Sequence, residues 1–268
     1  MTQTIPEGLA VVTGASSGIG AVYADRLAAR GRPLLLVARR AARLAELQAD
    51  LRQRYGVEVE TLTADLEQPA DLGRLEGRLS AGGVAMVVNN AGAGGLGSLA
   101  NASADQLERI VRLNILAVTR LSHAALAGFR VTGAGVLVNI GSIMAFAPTP
   151  SGAVYSGSKA YVLNFTRSLQ LEFRKTAIRV QLVMPGPIRT EFFSSQGMSD
   201  SIFPDASFIS AQTLVDAALA GLDAGEAITT PTLANDEVWR RLEDARAEYL
   251  AQTSSGKLAA RYPEAAGI

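Results

Sequence analysis

The chain has 268 residues, of which 48% are hydrophobic and 19% charged, so it can bury one sizeable core and is not intrinsically disordered. Its 25 basic and 25 acidic residues cancel, so the chain has no net positive charge that would hold nucleic acid through its phosphates. Cysteine is absent and histidine occurs once, which excludes disulfides and thiolate metal sites and leaves little scope for a histidine-based triad. We therefore predict no metal site.

Short apolar runs alternate with longer amphipathic runs along the chain, which is typical of a parallel sheet covered by helices. The predicted strands are Leu9–Thr13, Leu34–Ala38, Val57–Leu62, Ala85–Val88, Gly135–Ile140, Ile178–Val183 and Ala227–Thr229. These runs show no polar alternation, as expected for strands buried on both faces. The predicted helices are Ala21–Arg30, Ala41–Tyr55, Ala70–Leu79, Ser103–Phe129, Ala153–Lys175, Ala211–Asp223 and Asn235–Leu250. The sequence predicts an α/β fold, a doubly wound parallel sheet of about seven strands with helices on both faces, in one domain spanning residues 1–268.

Three segments add to this pattern. Ser103 and Gln106 have the spacing of a capping box at the start of the longest helix. The segment 190–209 carries several phenylalanines, and a long loop of this kind is usually a lid or a binding loop, although two short amphipathic helices would give the same composition. The segment 235–268 is predicted to be a helical extension at the surface or at a subunit contact.

A glycine-rich turn, Thr13-Gly14-Ala15-Ser16-Ser17-Gly18-Ile19-Gly20, joins the first strand to the first helix. Glycines allow the backbone to approach a phosphate closely, and the helix N-terminus offers free N–H donors to a pyrophosphate. A tight turn without a ligand could carry the same glycines. The position after the first strand favours dinucleotide binding.

The end of the second strand indicates which nicotinamide cofactor binds. An acidic residue there would bind the ribose hydroxyls of NAD, whereas an arginine suits the 2′-phosphate of NADP. Here Arg39 and Arg40 follow the strand, and the first acidic residue is Glu46. NADPH or NADP is therefore favoured, with NAD as the alternative; the arginines could also be solvated charges. Asp65 ends the third strand, where it either meets the adenine or caps the next segment.

The pentapeptide Tyr155-Ser-Gly-Ser-Lys159 carries the predicted chemistry. On a helix, residues four apart lie on the same face, so both side chains can point into one site. We expect the Lys159 ammonium, with an oxidised nicotinamide, to lower the Tyr155 pKa from about 10. A phenol tuned in this way can donate a proton to a carbonyl oxygen, or accept one from an alcohol.

Two further polar residues are candidates for this site. Ser142 follows a strand end, where open α/β sheets place their ligands, and it either binds the substrate oxygen or caps a turn. Asn114 lies in an apolar helix, where an uncompensated amide is costly. It is therefore either a satisfied core amide or the holder of a water that relays protons towards Lys159.

These motifs, in this order, resemble the short-chain dehydrogenase/reductase family over Leu9–Thr190. The resemblance includes Asn89-Asn90-Ala91-Gly92 and Pro185-Gly186-Pro-Ile188-Arg-Thr190. It implies a Rossmann-type fold and a tetrad in which Tyr155 is the acid/base, whose members are Asn114, Ser142, Tyr155 and Lys159. It also implies cofactor contacts at Gly14, Ser16, Ser17, Gly18, Ile19, Gly20, Arg39, Arg40, Asp65, Leu66, Asn90, Ala91, Gly92, Tyr155, Lys159, Pro185, Gly186, Ile188 and Thr190.

One position departs from the pattern of the family. Many NADPH-using relatives carry a basic residue where this chain has Ser17, which leaves Arg39 to bind most of the 2′-phosphate, with Arg40 as a second donor. The family also implies a homodimer or homotetramer that packs helices Ser103–Phe129 and Ala153–Lys175 against those of a partner. His123 is interpreted as structural.

The sequence thus predicts an NADPH-dependent enzyme that reversibly reduces a ketone or aldehyde. Met144, Phe146 and the phenylalanines of segment 190–209 favour a hydrophobic small-molecule substrate. The alternatives are an NAD-dependent alcohol dehydrogenase of the same family and a dinucleotide-binding sensor without turnover.

The sequence also bears on location. The polar start, interrupted by Pro6, does not resemble a signal peptide, and no apolar run is judged to approach the roughly 20 residues that span a bilayer. We therefore expect a cytoplasmic protein that does not bind a membrane.

Overall fold

The computed structural model describes residues 6–95, 97–192 and 203–262. The chain divides into two compact units, one ending at Pro231 and the other beginning at Thr232. The first unit carries the sheet and every predicted site residue. The second carries a helix, Asp236–Thr253, in the segment predicted to be a helical extension. The prediction of one domain over residues 1–268 stays a prediction.

The first unit is built on a parallel sheet whose strand order is β3-β2-β1-β4-β5-β6-β9. Its strands are β1 (Leu9–Thr13), β2 (Leu34–Ala38), β3 (Val59–Thr63), β4 (Val84–Asn89), β5 (Ala134–Ile140), β6 (Ala177–Val183) and β9 (Ile228–Thr229), while β7 (Ile188–Arg189) and β8 (Ile209–Ser210) form a separate pair. The order runs outward in both directions from β1 and β4, which confirms the predicted doubly wound fold. Ligands of such sheets bind where the order reverses, beyond the carboxyl ends of the strands.

The helices of the first unit cover both faces of this sheet. They are α1 (Gly18–Ala29), α2 (Ala41–Tyr55), α3 (Pro69–Ser80), α4 (Ala104–Val111), α5 (Val118–Thr132), α6 (Ala153–Phe173) and α7 (Ala211–Ala224), with α8 (Asp236–Thr253) in the second unit. The capping box predicted at Ser103 and Gln106 is present. The helix predicted over Ser103–Phe129 is not uniform, because a π-helical segment, Arg112–Ala117, separates α4 from α5.

Two apolar clusters, one on each face, hold the sheet between its helices. Val12 and Leu36 pack in the cluster that includes residues of α1, α2 and α7. Val11 and Leu35, their immediate neighbours, pack in the cluster that includes residues of α3 and α5. Successive strand residues point to opposite faces, so central strands with two covered faces are apolar throughout.

The edge strand β3 contradicts the prediction that every strand is apolar and buried. Val59 is buried, but Glu60, Thr61 and Thr63 are exposed. Among the residues that the structure describes, this strand pairs only with β2, so it lies at an edge of the sheet where polar residues are tolerated.

One described helix, Ala104–Thr132, is long and apolar enough in length and composition to cross a membrane. This helix differs from the expectation that no apolar run approaches the length of a membrane span. Of the most apolar 18-residue window of this helix, 56% is buried inside the fold. The core helix of a soluble protein meets the same criteria of length and composition. The feature is therefore weak evidence for a membrane segment.

Candidate active site

The glycine turn between β1 and α1 lies at the carboxyl end of the central strand. Gly14 and Gly18 have φ values of 67° and 54°, in the left-handed region that favours glycine. A Cβ on Gly20 would collide with the Gly14 carbonyl oxygen, so the turn closes only with glycine at this position. The chain then enters α1 directly, which places backbone N–H donors at the turn. This geometry forms a cradle suited to a pyrophosphate.

The segment after β4 is fastened to the glycine turn by side-chain hydrogen bonds. Thr13 Oγ1 accepts hydrogen bonds from the backbone N–H groups of Asn90 and Ala91, both at 3.0 Å. Asn90 Nδ2 donates in return to the carbonyl oxygens of Thr13 at 2.9 Å and Gly14 at 3.4 Å. The structure therefore brings the predicted cofactor residues of β1 and β4 together at the point where the strand order reverses.

The two arginines after β2 point to different partners. Arg40 donates through Nε and Nη2 to Ser16 Oγ, at 3.0 and 2.9 Å, and through Nη2 to Ser17 Oγ at 2.6 Å. Arg39 instead reaches Glu67 at 3.5 Å. The sequence analysis gave Arg39 the larger role, but it is Arg40 that lies against the glycine turn.

The residues after β3 have local structural partners. The Asp65 carboxylate accepts a hydrogen bond from the Glu67 backbone N–H at 3.1 Å, and the Asp65 backbone N–H donates to Asp71 Oδ2 at 2.7 Å. Of the two interpretations offered for Asp65, this geometry shows the capping contact. Leu66 is buried in the apolar core.

The predicted catalytic side chains of β5 and α6 meet at the carboxyl edge of the sheet. Lys159 Nζ donates to the Ile140 carbonyl oxygen at 3.0 Å and lies 5.8 Å from the centroid of the Tyr155 ring. The Tyr155 hydroxyl is hydrogen-bonded to Ser142. Ser142 Oγ also accepts from the Met144 backbone N–H at 3.1 Å, so it caps a turn as well as contacting Tyr155. The spacing of Tyr155 and Lys159 therefore places both groups in one site.

Burial opposes the lowering of the Tyr155 pKa that is expected from the Lys159 ammonium and an oxidised nicotinamide. Burial raises the pKa of Tyr155, and the hydrogen bond to Ser142 offsets only part of that increase. Burial also lowers the pKa of Lys159 to about 8. Desolvation disfavours the charged form of both groups, which opposes the attraction between an ammonium and a phenolate. At neutral pH the phenol is therefore protonated.

Asn114 lies in the π-helical segment and is fully engaged by the protein. Its Nδ2 donates to the Ala93 carbonyl oxygen at 2.8 Å and to Ser158 Oγ at 3.0 Å, and its Oδ1 accepts from the Ala93 N–H at 2.8 Å. Ser158 Oγ in turn donates to the Tyr155 carbonyl oxygen at 2.7 Å. Of the two interpretations of Asn114, these contacts show the satisfied buried amide, and they connect the loop after β4 to the turn that carries Tyr155.

Replacing Asn114 with Ala is expected to lower the free energy of unfolding by about 2 to 4 kcal/mol, because buried partners at Ala93 and Ser158 lose their hydrogen bonds. Denaturant unfolding measures this difference. Asn164→Ala is the control, since Asn164 is an exposed asparagine of α6. Equal stability of both variants would contradict the structural role.

The segment after β6 closes the far side of the cleft. The Pro185 carbonyl oxygen accepts from the Ile143 N–H at 3.0 Å, and Ile188 is buried. A Cβ on Gly18 would lie 3.2 Å from Thr190 Cγ2, which places Thr190 beside the glycine turn. The Phe192 ring centroid lies 6.2 Å from that of Tyr155. Of the phenylalanines of segment 190–209, Phe193 lies outside the described residues.

The sequence analysis missed three residues of this region. Ser158 stood inside the Tyr155–Lys159 pentapeptide, and its position next to the lysine was the available signal. Arg43 and Glu191 meet each other in the structure although they are far apart in the chain, at 2.8 Å between Nη1 and Oε2. No local pattern in the sequence connects such a pair.

Residues 8–200 match the profile of a family described as short chain dehydrogenase. Among solved structures, a short-chain dehydrogenase from Sphingobium yanoikuyae in complex with NADPH is 41% identical, with a TM-score of 0.91 over 95% of this chain and 100% of that chain. The bulky-bulky ketone specific alcohol dehydrogenase from Comamonas testosteroni, in its orthorhombic crystal form, is 37% identical, with a TM-score of 0.88 over 97% of this chain and 100% of that chain.

A curated relative, the very-long-chain 3-oxoacyl-CoA reductase of Anas platyrhynchos, is 33% identical over 189 residues. The match includes 68% of this chain and 60% of the relative. This chain therefore covers only part of the length of that reductase. The similarity shows that the two proteins are related over the 189 shared residues.

Proposed function

This chain belongs to the short-chain dehydrogenase family, and we propose that it is an NADPH-dependent oxidoreductase that reversibly reduces a hydrophobic ketone or aldehyde to the alcohol. The observation that carries the proposal is the meeting of Ser142, Tyr155 and Lys159 at the same carboxyl edge of the sheet that carries the glycine turn. A hydroxyl that is protonated, buried and held at a ligand-binding edge is suited to proton transfer to a substrate oxygen.

The residues at this edge fit a nicotinamide dinucleotide. The glycine turn requires a backbone without side chains at Gly14, Gly18 and Gly20, and Arg40 brings a guanidinium to the same turn. When bound, the reduced cofactor supplies the hydride. Lys159, whose ammonium donates to the Ile140 carbonyl oxygen, would contact the nicotinamide ribose.

Residues of the chain would transfer the proton to the substrate oxygen. Ser142 donates to the substrate carbonyl oxygen and orients it towards Tyr155. Tyr155 donates its phenolic proton to that oxygen, and the nearby Lys159 ammonium stabilises the phenolate that remains. Burial raises the pKa of Tyr155 and so favours the neutral phenol, which keeps its proton available for reduction.

Apolar side chains near Tyr155 support a hydrophobic substrate. Phe192 lies against the tyrosine ring, and Ile143 and Phe146, which follow Ser142, are partly exposed. The similar enzyme from Comamonas testosteroni is described as specific for bulky-bulky ketones. We propose the same broad class here, a carbonyl flanked by large apolar groups.

Turnover of a carbonyl panel with NADPH tests this function. The expected result is consumption of reduced nicotinamide with hydrophobic ketones or aldehydes, and slower turnover with small hydrophilic ones. NADPH binding without turnover of any panel member would favour a dinucleotide-binding sensor. Faster turnover with NADH would favour the NAD-dependent alternative.

Removing the arginines after β2 is expected to change cofactor preference. The variant Arg39→Ala/Arg40→Ala should bind NADPH about 10- to 100-fold more weakly, because a charge-assisted hydrogen bond contributes about 1.5 to 3 kcal/mol. NADH affinity should stay within about twofold, since NADH lacks the 2′-phosphate. Fluorescence titration measures both, and the single variants divide the effect, with the larger share expected at Arg40. Equal losses for both cofactors would contradict a 2′-phosphate role.

We also propose that the enzyme is a homodimer or homotetramer. Val111, Leu116 and Leu171 are exposed large apolar residues on the two helical regions predicted to meet a partner. Their burial in an assembly would remove apolar surface from water. The cytoplasmic location stays a prediction.

A further inference from the structure

The N-terminus of α2 is unusually basic. Arg40 is the N-cap residue, Arg43 lies in the first turn, and that turn contains no acidic residue. Helix N-termini carry a partial positive charge, so cations there are unfavourable and anions favourable. Two arginines at this end therefore form an anion-binding position, and the hydroxyls of Ser16 and Ser17 lie beside it.

A carboxylate of the same chain occupies this position. Glu191 Oε2 lies 3.1 Å from Arg40 Nη1 and 2.8 Å from Arg43 Nη1. Its Oε1 accepts a second hydrogen bond from Arg43 Nη1 at 2.9 Å. One carboxylate thus engages both guanidinium groups.

The chain segment before Glu191 fixes its position next to the glycine turn. It follows Thr190, whose side chain lies against Gly18 of the glycine turn. The short strand β7 (Ile188–Arg189), with Ile188 buried, anchors the chain just before these residues. The carboxylate therefore reaches the arginines from a residue that adjoins the glycine turn.

We propose that Glu191 is a specificity-determining residue that competes with the ribose 2′-phosphate of NADPH for Arg40 and Arg43. This inference rests on the proposed NADPH dependence and deepens it. A phosphate monoester carries nearly two negative charges and more acceptor oxygens than a carboxylate, and guanidinium binds it with a planar fork of donors. NADH has no group that would displace Glu191.

A phosphate can replace Glu191 because the ion pairs that Glu191 makes are exposed. The side chains of Arg40, Arg43 and Glu191 are 42%, 45% and 49% exposed, and ion pairs of this exposure are weak. Hydrogen bonds from Arg43 and Arg40 lower the pKa of Glu191, so it remains ionised at neutral pH. The competitor is thus charged at neutral pH, but a phosphate can displace it.

Titration of wild-type protein and the Glu191→Gln variant with NADPH and with NADH tests the competition. Glutamine keeps the size of the side chain but removes its charge, so NADPH should bind the variant about three- to tenfold more tightly. NADH affinity should change by less than about twofold, so the preference for NADPH should rise. The gain should shrink at high salt, because screening weakens exposed ion pairs.

Asp205→Asn is the matched control. Asp205 pairs with Arg189 at 3.0 Å, so this variant removes another exposed acidic partner of an arginine near the same cleft. Its NADPH affinity should equal that of the wild type. An equal increase in both variants would indicate a general effect of net charge and would overturn the proposal.

Unchanged or weaker NADPH binding by Glu191→Gln would also overturn it, the latter because the carboxylate would then be orienting the arginines for the phosphate. These outcomes differ from failure of the proposed function. If the wild-type protein prefers NADH, the NADPH assignment itself is wrong. If it prefers NADPH and Glu191→Gln behaves like wild type, only the competition is wrong.

Discussion

Replacing Tyr155 with Phe is expected to lower kcat for carbonyl reduction by about 100- to 10,000-fold, the range typical of losing a general acid. The substitution removes one hydroxyl and keeps the ring that packs near Phe192 and Lys159. NADPH affinity and thermal stability should therefore change little. Steady-state kinetics with the best carbonyl substrate, together with an NADPH titration, separates the loss of proton transfer from a loss of binding.

Tyr161→Phe provides the matched control for this experiment. Tyr161 lies on the same helix, but its hydroxyl is hydrogen-bonded to Thr119 Oγ1 at 2.7 Å, away from Ser142. Its removal should leave kcat within about twofold of wild type, since no proton transfer depends on it. Wild-type turnover by Tyr155→Phe would exclude Tyr155 as the acid.

Burial of Tyr155 is expected to give carbonyl reduction and alcohol oxidation different pH dependences. Because the pKa of free Tyr155 is raised, the phenol stays protonated at neutral pH, which is the form required for reduction. Oxidation of the alcohol requires the phenolate instead, and a bound oxidised nicotinamide would add the positive charge that favours it. The reverse reaction should therefore have its optimum at higher pH than the forward reaction.

The sheet could be predicted because its physical signal is local. Val11 and Val12 face opposite apolar clusters, so an unbroken apolar run marked β1 as a central strand. The same rule failed at β3, because one strand's own sequence does not state whether it lies at an edge. The π-helical segment around Asn114 also escaped prediction, since its apolar periodicity resembles that of an ordinary helix.

The site was predictable where one element carries both partners. Tyr155 and Lys159 share a helix face, so their spacing determined their proximity. Arg40 and Glu191 come from distant parts of the chain, and their 3.1 Å contact depends on the fold. The direction of the Tyr155 pKa shift could not be predicted from spacing alone. Burial of the phenol raises its pKa, whereas attraction to the Lys159 ammonium lowers it, and the extent of burial depends on the fold.

Replacing Lys159 with Met is expected to lower kcat by about 100- to 1,000-fold, since it removes the charge that stabilises the developing phenolate. Methionine retains an unbranched apolar chain of similar length at a buried position. NADPH should also bind more weakly, because the proposed contact between Lys159 and the ribose would be lost. Kinetics and cofactor titration measure both effects, and Lys175→Met, which changes an exposed lysine beyond the end of α6, is the control.

The same variant should change how stability depends on pH. The pKa of Lys159 is about 8 in the fold, whereas an unfolded lysine has a pKa of about 10.4, so the unfolded chain binds more protons between these values. The unfolding free energy of the wild type therefore gains from this group as pH rises through that window, and Lys159→Met lacks the gain. The loss of the donor to the Ile140 carbonyl is a constant offset, because a carbonyl does not titrate in this range. Between about pH 6.5 and about pH 9.5, the stability difference between variant and wild type should move by about 2 kcal/mol in favour of the wild type. A pH-independent difference in denaturant unfolding would mean that Lys159 is not held in a desolvated site, and its proposed role beside Tyr155 would lose its physical basis.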